Sequence, residues 1–383
     1  MNNQKWLSLN FFAFFFTWGV FLPYWTGWLT NEKAMSVSAA SIIMGAGMIA
    51  RTLSTLFLFP LMTRLFSLGR HMQILAILSV LIMALYIPVN SYTLLFVITF
   101  AFNFIYPNLL PAMESGATVL MQTDRIHYGK SRSFGSIGYT VALLIVGAVT
   151  AIWQEAAILW VMMAGLLFMA VTQSAVSPVP LQVKPKPKSS ASKGMFRKLL
   201  ASKGFLTILI VTILLQGAHA AYYNYGFIYL QDIGVNSFYI GIILNVAVIF
   251  EIIFFVKADS LFEKWPVSSM FLLAGIGSTL RWILIFLFPS AWVFIFSQVL
   301  HALSFGVAHF AFIRYIFKHL TPEEIPAAQA MYAAFAMSLS VALLTFIGGF
   351  LYEVSPGLAF LGMVTFSLPA IFVVLATKKK LSY

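Results

Sequence analysis

The chain has 383 residues, of which 61% are apolar and only 9% charged, with a mean hydropathy of +0.93. A soluble domain carries roughly 25% charged residues, so this composition excludes a disordered chain and argues against a water-soluble enzyme. There are no cysteines, which removes disulfides, thiol nucleophiles and cysteine metal sites. The net charge of +12 does not point to nucleic acid, because the basic residues sit in short segments between apolar runs, where they act as orientation signals.

In chain order, the first apolar run, Trp6 to Leu29, carries no charge. It is too long for a signal-peptide core and reads as the first membrane helix. Segments long enough to cross a bilayer follow at 37–62, 72–90, 92–119, 133–152 and 156–176. A second set lies at 204–230, 236–257, 267–288, 290–317, 325–350 and 356–376. The expected architecture is all-α, with twelve transmembrane helices in two six-helix halves, 1–176 and 204–383. Residues 177–203, with their Lys-Pro-Lys-Pro-Lys-Ser-Ser run at 184–190, form a solvated cytoplasmic linker.

Charge gives the orientation. One set of loops holds Lys5, Arg64, Arg70, Arg125, Lys130, Arg132, seven basic linker residues, Lys257, Lys264, Arg314, Lys318 and Lys378 to Lys380. The opposite loops hold only Lys33, beside Glu32, Glu155, Asp232 and Glu353. By the positive-inside rule both termini are cytoplasmic. The halves also repeat weakly at an offset near 200: Ile42-Ile43-Met44-Gly45 answers Ile242-Ile243-Leu244-Asn245, and Arg51 falls opposite Glu251. Two halves of this kind characterise major-facilitator transporters.

Charged groups inside lipid are costly and mark function. Four stand out: Arg51, Glu114, Glu251 and Arg281. Glu251 and Glu114 are candidates for proton coupling, since a carboxyl can hold a proton in one environment and lose it in another. The competing reading makes Arg51–Glu114 and Arg281–Glu251 ion pairs that tie helices or close a gate. In the first span Trp18 lies deep enough to line a pocket, whereas Tyr24, Trp25 and Trp28 read as an interfacial aromatic belt. The fourth span carries Asn103, Tyr106, Pro107 and Pro111, a kinked wall with Asn103 and Tyr106 as cavity-lining contacts.

The seventh span is the richest. Gln216, His219 and Tyr223 follow spacings of three and four, so one helix face carries an amide, an imidazole and a phenol. With Tyr222 and Arg281 they are the main substrate-binding candidates, and interhelical hydrogen bonding is the alternative. The tenth span places Gln298, His301, Phe305 and His309 on another stripe, with His301 as a further proton relay. No acid at ligand spacing supports a metal at His219, His301 and His309, and neither a cofactor nor a nucleophile constellation is recognisable.

Several runs resemble the phenylpropionate-transporter group of the major facilitator superfamily: Phe21-Leu-Pro-Tyr-Trp25, Tyr128 to Ser136, Leu214 to Tyr223, Arg281-Trp282, His309 to Ile316 and Gln329 to Met337. The group is also similar to the lactose- and nucleoside-proton symporters. The resemblance implies proton-coupled import of an aromatic monocarboxylate such as 3-phenylpropionate across a bacterial inner membrane, by alternating access and without enzymatic chemistry. In the loop that usually carries a Gly, an Asp and basic residues, the first half keeps Arg64, Gly69 and Arg70 but lacks the Asp. The second half keeps Asp259 and Lys264, which gives Asp259 the larger part of a cytoplasmic gate. The alternatives are a nucleoside or sugar proton symporter, since Asn, Gln, Tyr and Trp suit hydroxylated cargo, and an exporter of the same fold. The expected partners are a small solute, protons and lipid, with the monomer as functional unit.

Overall fold

The computed structural model describes residues 2–175, 177–183 and 192–381; the 184–190 run lies outside them. The described chain is helical. In a bilayer only internal pairing can satisfy the backbone, which is what an apolar helix provides. The helices are α1 (Asn3–Glu32), α2 (Val37–Leu65), α3 (Leu68–Ala84), α4 (Tyr92–Asp124), α5 (Tyr128–Trp153), α6 (Ala156–Ser174), α7 (Val179–Gln182), α8 (Ser192–Ala201), α9 (Lys203–Asp232), α10 (Ser237–Phe262), α11 (Val267–Leu287), α12 (Ala291–His319), α13 (Ile325–Val354) and α14 (Pro356–Lys379).

Eleven of these are long and apolar enough to cross a membrane, and α3 is a shorter apolar helix of 17 residues. It occupies 68–84 rather than 72–90. The Ser67 side chain accepts from the Arg70 amide at its start, and Pro88 disfavours helix at the residue before it. The intervening segment is expected apolar but is built of turns.

The chain divides into two compact units. The first comprises 1–35, 46–187 and 236–242, and the second 36–45, 188–235 and 243–383. In the first, α1 packs along α5 and α6. A Cβ at Gly138 would meet the Phe12 backbone carbonyl, and one at Gly19 would lie 3.0 Å from Ala142, so small residues let the helices approach closely. The expected aromatic belt is instead core. Tyr24, Trp25 and Trp28 are buried, the Tyr24 hydroxyl donates to the Leu143 carbonyl at 3.1 Å, and Trp25 stacks on Trp28 at 4.7 Å. Position along the span suggested the interface, but the face on which these rings lie is covered by protein.

The kink expected in α4 is present as a tight turn at Tyr106–Asn108. Pro107 has no N–H to continue the ladder, and Asn108 fixes the bend. Its Nδ2 donates to the Ser54 hydroxyl at 2.8 Å and carbonyl at 3.1 Å, while its Oδ1 lies 3.1 Å from His71 Nε2. This ties α2, α3 and α4 together at buried polar groups.

In the second unit α9 is broken at Ala218–His219. Its lower half ends at Gly217, and His219 starts the next run. The sequence reads there as one continuous apolar span, because neither Pro nor a charge marks the break. Two stretches with looser helical winding lie in α12 at Ala302–Val307 and in α13 at Tyr332–Leu339; such wider turns recur at functional positions.

The linker contains buried elements, contrary to the expectation of a fully solvated segment. Leu181 of α7 is buried. Helix α8 is amphipathic, with Leu199 buried in the second unit's core and Met195 and Phe196 packed against it. Lys198 Nζ holds the Glu324 carboxylate at 2.8 Å. Apolar residues four apart, Met195 and Leu199, outweigh the surrounding Lys and Ser on the packed face.

Candidate functional site

A buried polar cluster lies within the second unit, on α9, α10, α11, α12 and α13. Arg281 is completely buried. Its Nη1 donates to His301 Nδ1 at 2.9 Å and to the Ser304 hydroxyl at 3.4 Å, and Nη2 donates to Gln298 Oε1 at 3.4 Å. The guanidinium carbon lies 4.7 Å from the Tyr222 ring centre and 4.4 Å from that of Trp282, so two π faces share its charge. His301 Nε2 reaches the Glu251 carboxylate at 3.5 Å.

These contacts fix hydrogen directions. A guanidinium can only donate, so His301 Nδ1 accepts. In the neutral ring the proton is then on Nε2, which points at Glu251. His219 is ordered in the opposite sense. Its Nδ1 lies 2.9 Å from the Leu215 carbonyl, which can only accept, so Nδ1 donates and Nε2 accepts from the Ser304 hydroxyl at 3.0 Å. The Ser304 oxygen remains free to accept from Arg281. A single hydroxyl thus orients both His219 and Arg281.

Gln216 Nε2 donates to the Tyr332 hydroxyl at 3.0 Å, and that hydroxyl lies 2.8 Å from His309 Nδ1. Among the described residues, Arg281 Nε, Gln216 Oε1 and Asn224 Oδ1 are buried without a hydrogen-bond partner. Leaving such groups bare is costly, which makes them places where a polar ligand or water would be favoured. Tyr222 and Tyr223 are half-buried, and Tyr223 stacks on His219 at 6.0 Å.

The structure therefore brings together Gln216, His219, Tyr222, Tyr223, Glu251, Arg281 and His301 of the sequence-derived candidates. It corrects their expected pairing, since Arg281 reaches Glu251 through His301 rather than directly. Ser304, Trp282 and Tyr332 complete the cluster and were not among those candidates. The available signal was spacing, because Ser304 lies one helical turn after His301.

The remaining candidates lie in the first unit. Trp18 stacks on Tyr106 at 6.1 Å, and the Arg51 guanidinium lies 4.8 Å above the Trp18 ring. The Tyr106 hydroxyl is engaged inside the unit, donating to the Phe14 carbonyl at 2.9 Å and lying 2.6 Å from the Thr17 hydroxyl. Asn103 is buried and donates to the Thr99 carbonyl at 3.0 Å, and its Oδ1 is bare among the described residues. Glu114 pairs with Arg132 at 3.5 Å and accepts from the Tyr128 hydroxyl at 2.8 Å; this corrects the expected Arg51–Glu114 pair. Arg132 is one turn after Tyr128 on α5 and reaches Glu114 on α4, a juxtaposition that sequence spacing does not encode.

Of the gate candidates, Arg64, Arg70 and Asp259 are exposed. Asp259 borders a cavity of about 390 Å³ with Arg314 and Lys318. Among the described residues no group of three acidic or histidine side chains is arranged to hold a metal.

A bundle of apolar helices with a buried, ordered polar cluster, together with the family match, marks a membrane transporter of the major-facilitator type acting on a small solute. The chain belongs to the MFS_1 like family, whose model matches residues 5–362. It is 29% identical over 372 residues to the probable 3-phenylpropionic acid transporter of Escherichia coli, covering 97% of each chain. It is 27% identical over 350 residues to the maltose permease of Geobacillus stearothermophilus, covering 90% of this chain and 86% of that one. In fold it is similar to the crystal structure of the nucleoside transporter NupG, with a TM-score of 0.85 at 15% identity over 100% of both chains.

Proposed function

We propose that the protein is a proton-coupled symporter that imports a small ring-bearing solute by alternating access, as a monomer. It would sit in a bacterial inner membrane with twelve spans, two six-helix halves (1–176 and 204–383) and both termini cytoplasmic. The Arg281–His301–Glu251 relay is the observation that carries this reading. With Glu251 ionised, its charge balances that of Arg281 through the His301 ring. A proton arriving on Glu251 removes the negative charge that faces His301 Nε2 and turns a charge-assisted contact into a weaker neutral one, which loosens the ring and with it the orientation of Arg281. Proton loading and the state of the cargo-facing groups are thereby linked through one imidazole. Glu114 has no such relay, being held by Arg132 and Tyr128, and has the character of a structural tie.

A neutral hydroxylated cargo, a nucleoside or a sugar, comes first. In its balanced state the cluster offers neutral polar groups, among them the bare Gln216 Oε1 and the two tyrosines, beside aromatic faces suited to a ring. The named functions of the maltose permease and the nucleoside transporter are in keeping with it. An aromatic monocarboxylate is the second reading. It is favoured by the charge that a protonated Glu251 would leave uncompensated on Arg281, and by the 29% identical relative named for 3-phenylpropionic acid.

The deciding experiment is uptake into proteoliposomes of labelled uridine, maltose and 3-phenylpropionate, each with and without an inward proton gradient. Gradient-dependent accumulation of the nucleoside or sugar supports the first reading, and accumulation of the acid alone selects the second. Uptake that ignores the gradient would remove proton coupling altogether.

A further inference from the structure

We propose that the second unit carries a binding site for the phosphodiester headgroup of an anionic phospholipid, at the end where α11 begins and where α12 and α14 finish. A cavity of about 440 Å³ opens there, lined by Arg314, Lys318, Lys378 and Lys379 and, among the described residues, by no carboxylate. That volume is within the range of small-ligand sites, about 300–1,000 Å³. It shares no residue with the Arg281 cluster.

The basic groups are of two kinds. Arg314 is fixed: its guanidinium donates to the carbonyls of Phe262, the last residue of α10, and of Glu263 after it, which sets one wall of the cavity. Lys318, Lys378 and Lys379 have no carboxylate within 4.0 Å among the described residues. Three ammonium groups and a guanidinium converge without internal compensation. Ser268, in the first turn of α11, forms part of the floor. No side chain caps that helix, so its first amides add positive potential where the cations already gather. The acid of the neighbouring cavity, Asp259, does not line this one, although Arg314 and Lys318 border both.

The rim says which anion. Trp265 is 43% exposed at the cavity edge, a residue type that anchors at the headgroup level. Phe372 and Leu375 are exposed on α14, seven and four residues before Lys379, and so on the same helix face. Phe317 is exposed beside Lys318. Apolar surface thus leads directly to the basic cavity, which matches an acyl chain joined to a phosphate and not a free, fully hydrated ion. Basic pockets of this kind at helix ends select anionic headgroups.

The test titrates the purified full chain in neutral detergent with phosphatidylglycerol, phosphatidylcholine or inorganic phosphate, following Tm and lipid adducts by native mass spectrometry. Phosphatidylglycerol is expected to raise Tm saturably, and the other two to leave it unchanged. The Lys318→Gln/Lys378→Gln/Lys379→Gln variant should need at least about tenfold more phosphatidylglycerol for the same shift. Ser268→Asp, an acid in the first turn that favours the helix itself, should abolish the response even if the triple variant does not fold. An unchanged response in either folded variant, or an equal response to phosphatidylcholine, overturns the site. A shift reproduced by phosphate alone overturns the lipid assignment.

Discussion

Arg281 Nη1 donates to His301 Nδ1 across 2.9 Å, so the proton of the neutral His301 ring is directed at Glu251, 3.5 Å away. The charge of a buried guanidinium is therefore read by a carboxylate it does not touch. Glu251→Gln should reduce proton-driven accumulation to simple equilibration while leaving solute exchange across the membrane intact. Glu114→Gln should keep accumulation. Parallel gradient-driven and counterflow assays make the comparison, and intact accumulation in Glu251→Gln would remove this residue from coupling.

Arg281→Gln separates the two cargo classes. If the cargo is neutral, its KM should change little in the folded variant. If it is a carboxylate, loss of a charge-assisted hydrogen bond worth about 1.5–3 kcal/mol should raise KM by roughly 10–150-fold. Uptake kinetics for uridine and 3-phenylpropionate in the same vesicles give the answer, with size-exclusion chromatography confirming the fold.

Ser304→Ala removes the hydroxyl that donates to His219 Nε2 and accepts from Arg281. Hydrogen bonds between membrane helices contribute about 0.6–2 kcal/mol each, and two are lost here. Thermal unfolding in detergent should show a loss of about 1–4 kcal/mol, and a Tm equal to that of the parent would show that Ser304 orients nothing.

The docking of α8 should depend on pH at both extremes. The Lys198 hydrogen bond holds the Glu324 carboxyl below its ordinary value of 4.5, and Glu324 in turn raises Lys198 above 10.5. The contribution of Glu324 is complete above 4.5 and is lost as pH falls through its lowered value. That of Lys198 is complete below 10.5 and is lost as pH rises through its raised value. Hydrogen exchange of the α8 amides, corrected for the intrinsic rate, should be flat between these limits and faster outside them. A change of protection near neutrality would contradict the pairing.

Two glycines of α5 should respond in opposite ways to alanine. Gly138 faces the Phe12 backbone carbonyl, which cannot rotate aside, so overpacking should cost about 1–3 kcal/mol. Gly129 has nothing within 4 Å of an added Cβ, and the better helix propensity of alanine should stabilise it by up to about 1 kcal/mol. Thermal melts of the two variants side by side check the contrast.

By itself the sequence determined that the chain is a bundle of membrane helices, because runs such as Trp6–Leu29 can satisfy their backbone in lipid in no other way. It also determined the bend at Pro107, where a missing N–H is a local fact, and the polar faces of Gln216–His219–Tyr223 and His301–Phe305–His309, which follow from helical period. The tertiary structure decided who meets whom. Residue spacing places a side chain on a face but does not say which helix covers that face. Trp25 and Trp28 are therefore core rather than belt, Glu114 belongs to Arg132 rather than Arg51, and α8 docks where its lysines suggested a solvated linker. Only the packing of α10, α11 and α12 could place His301 between Arg281 and Glu251, since those three residues come from helices whose order along the chain carries no record of their angles and distances.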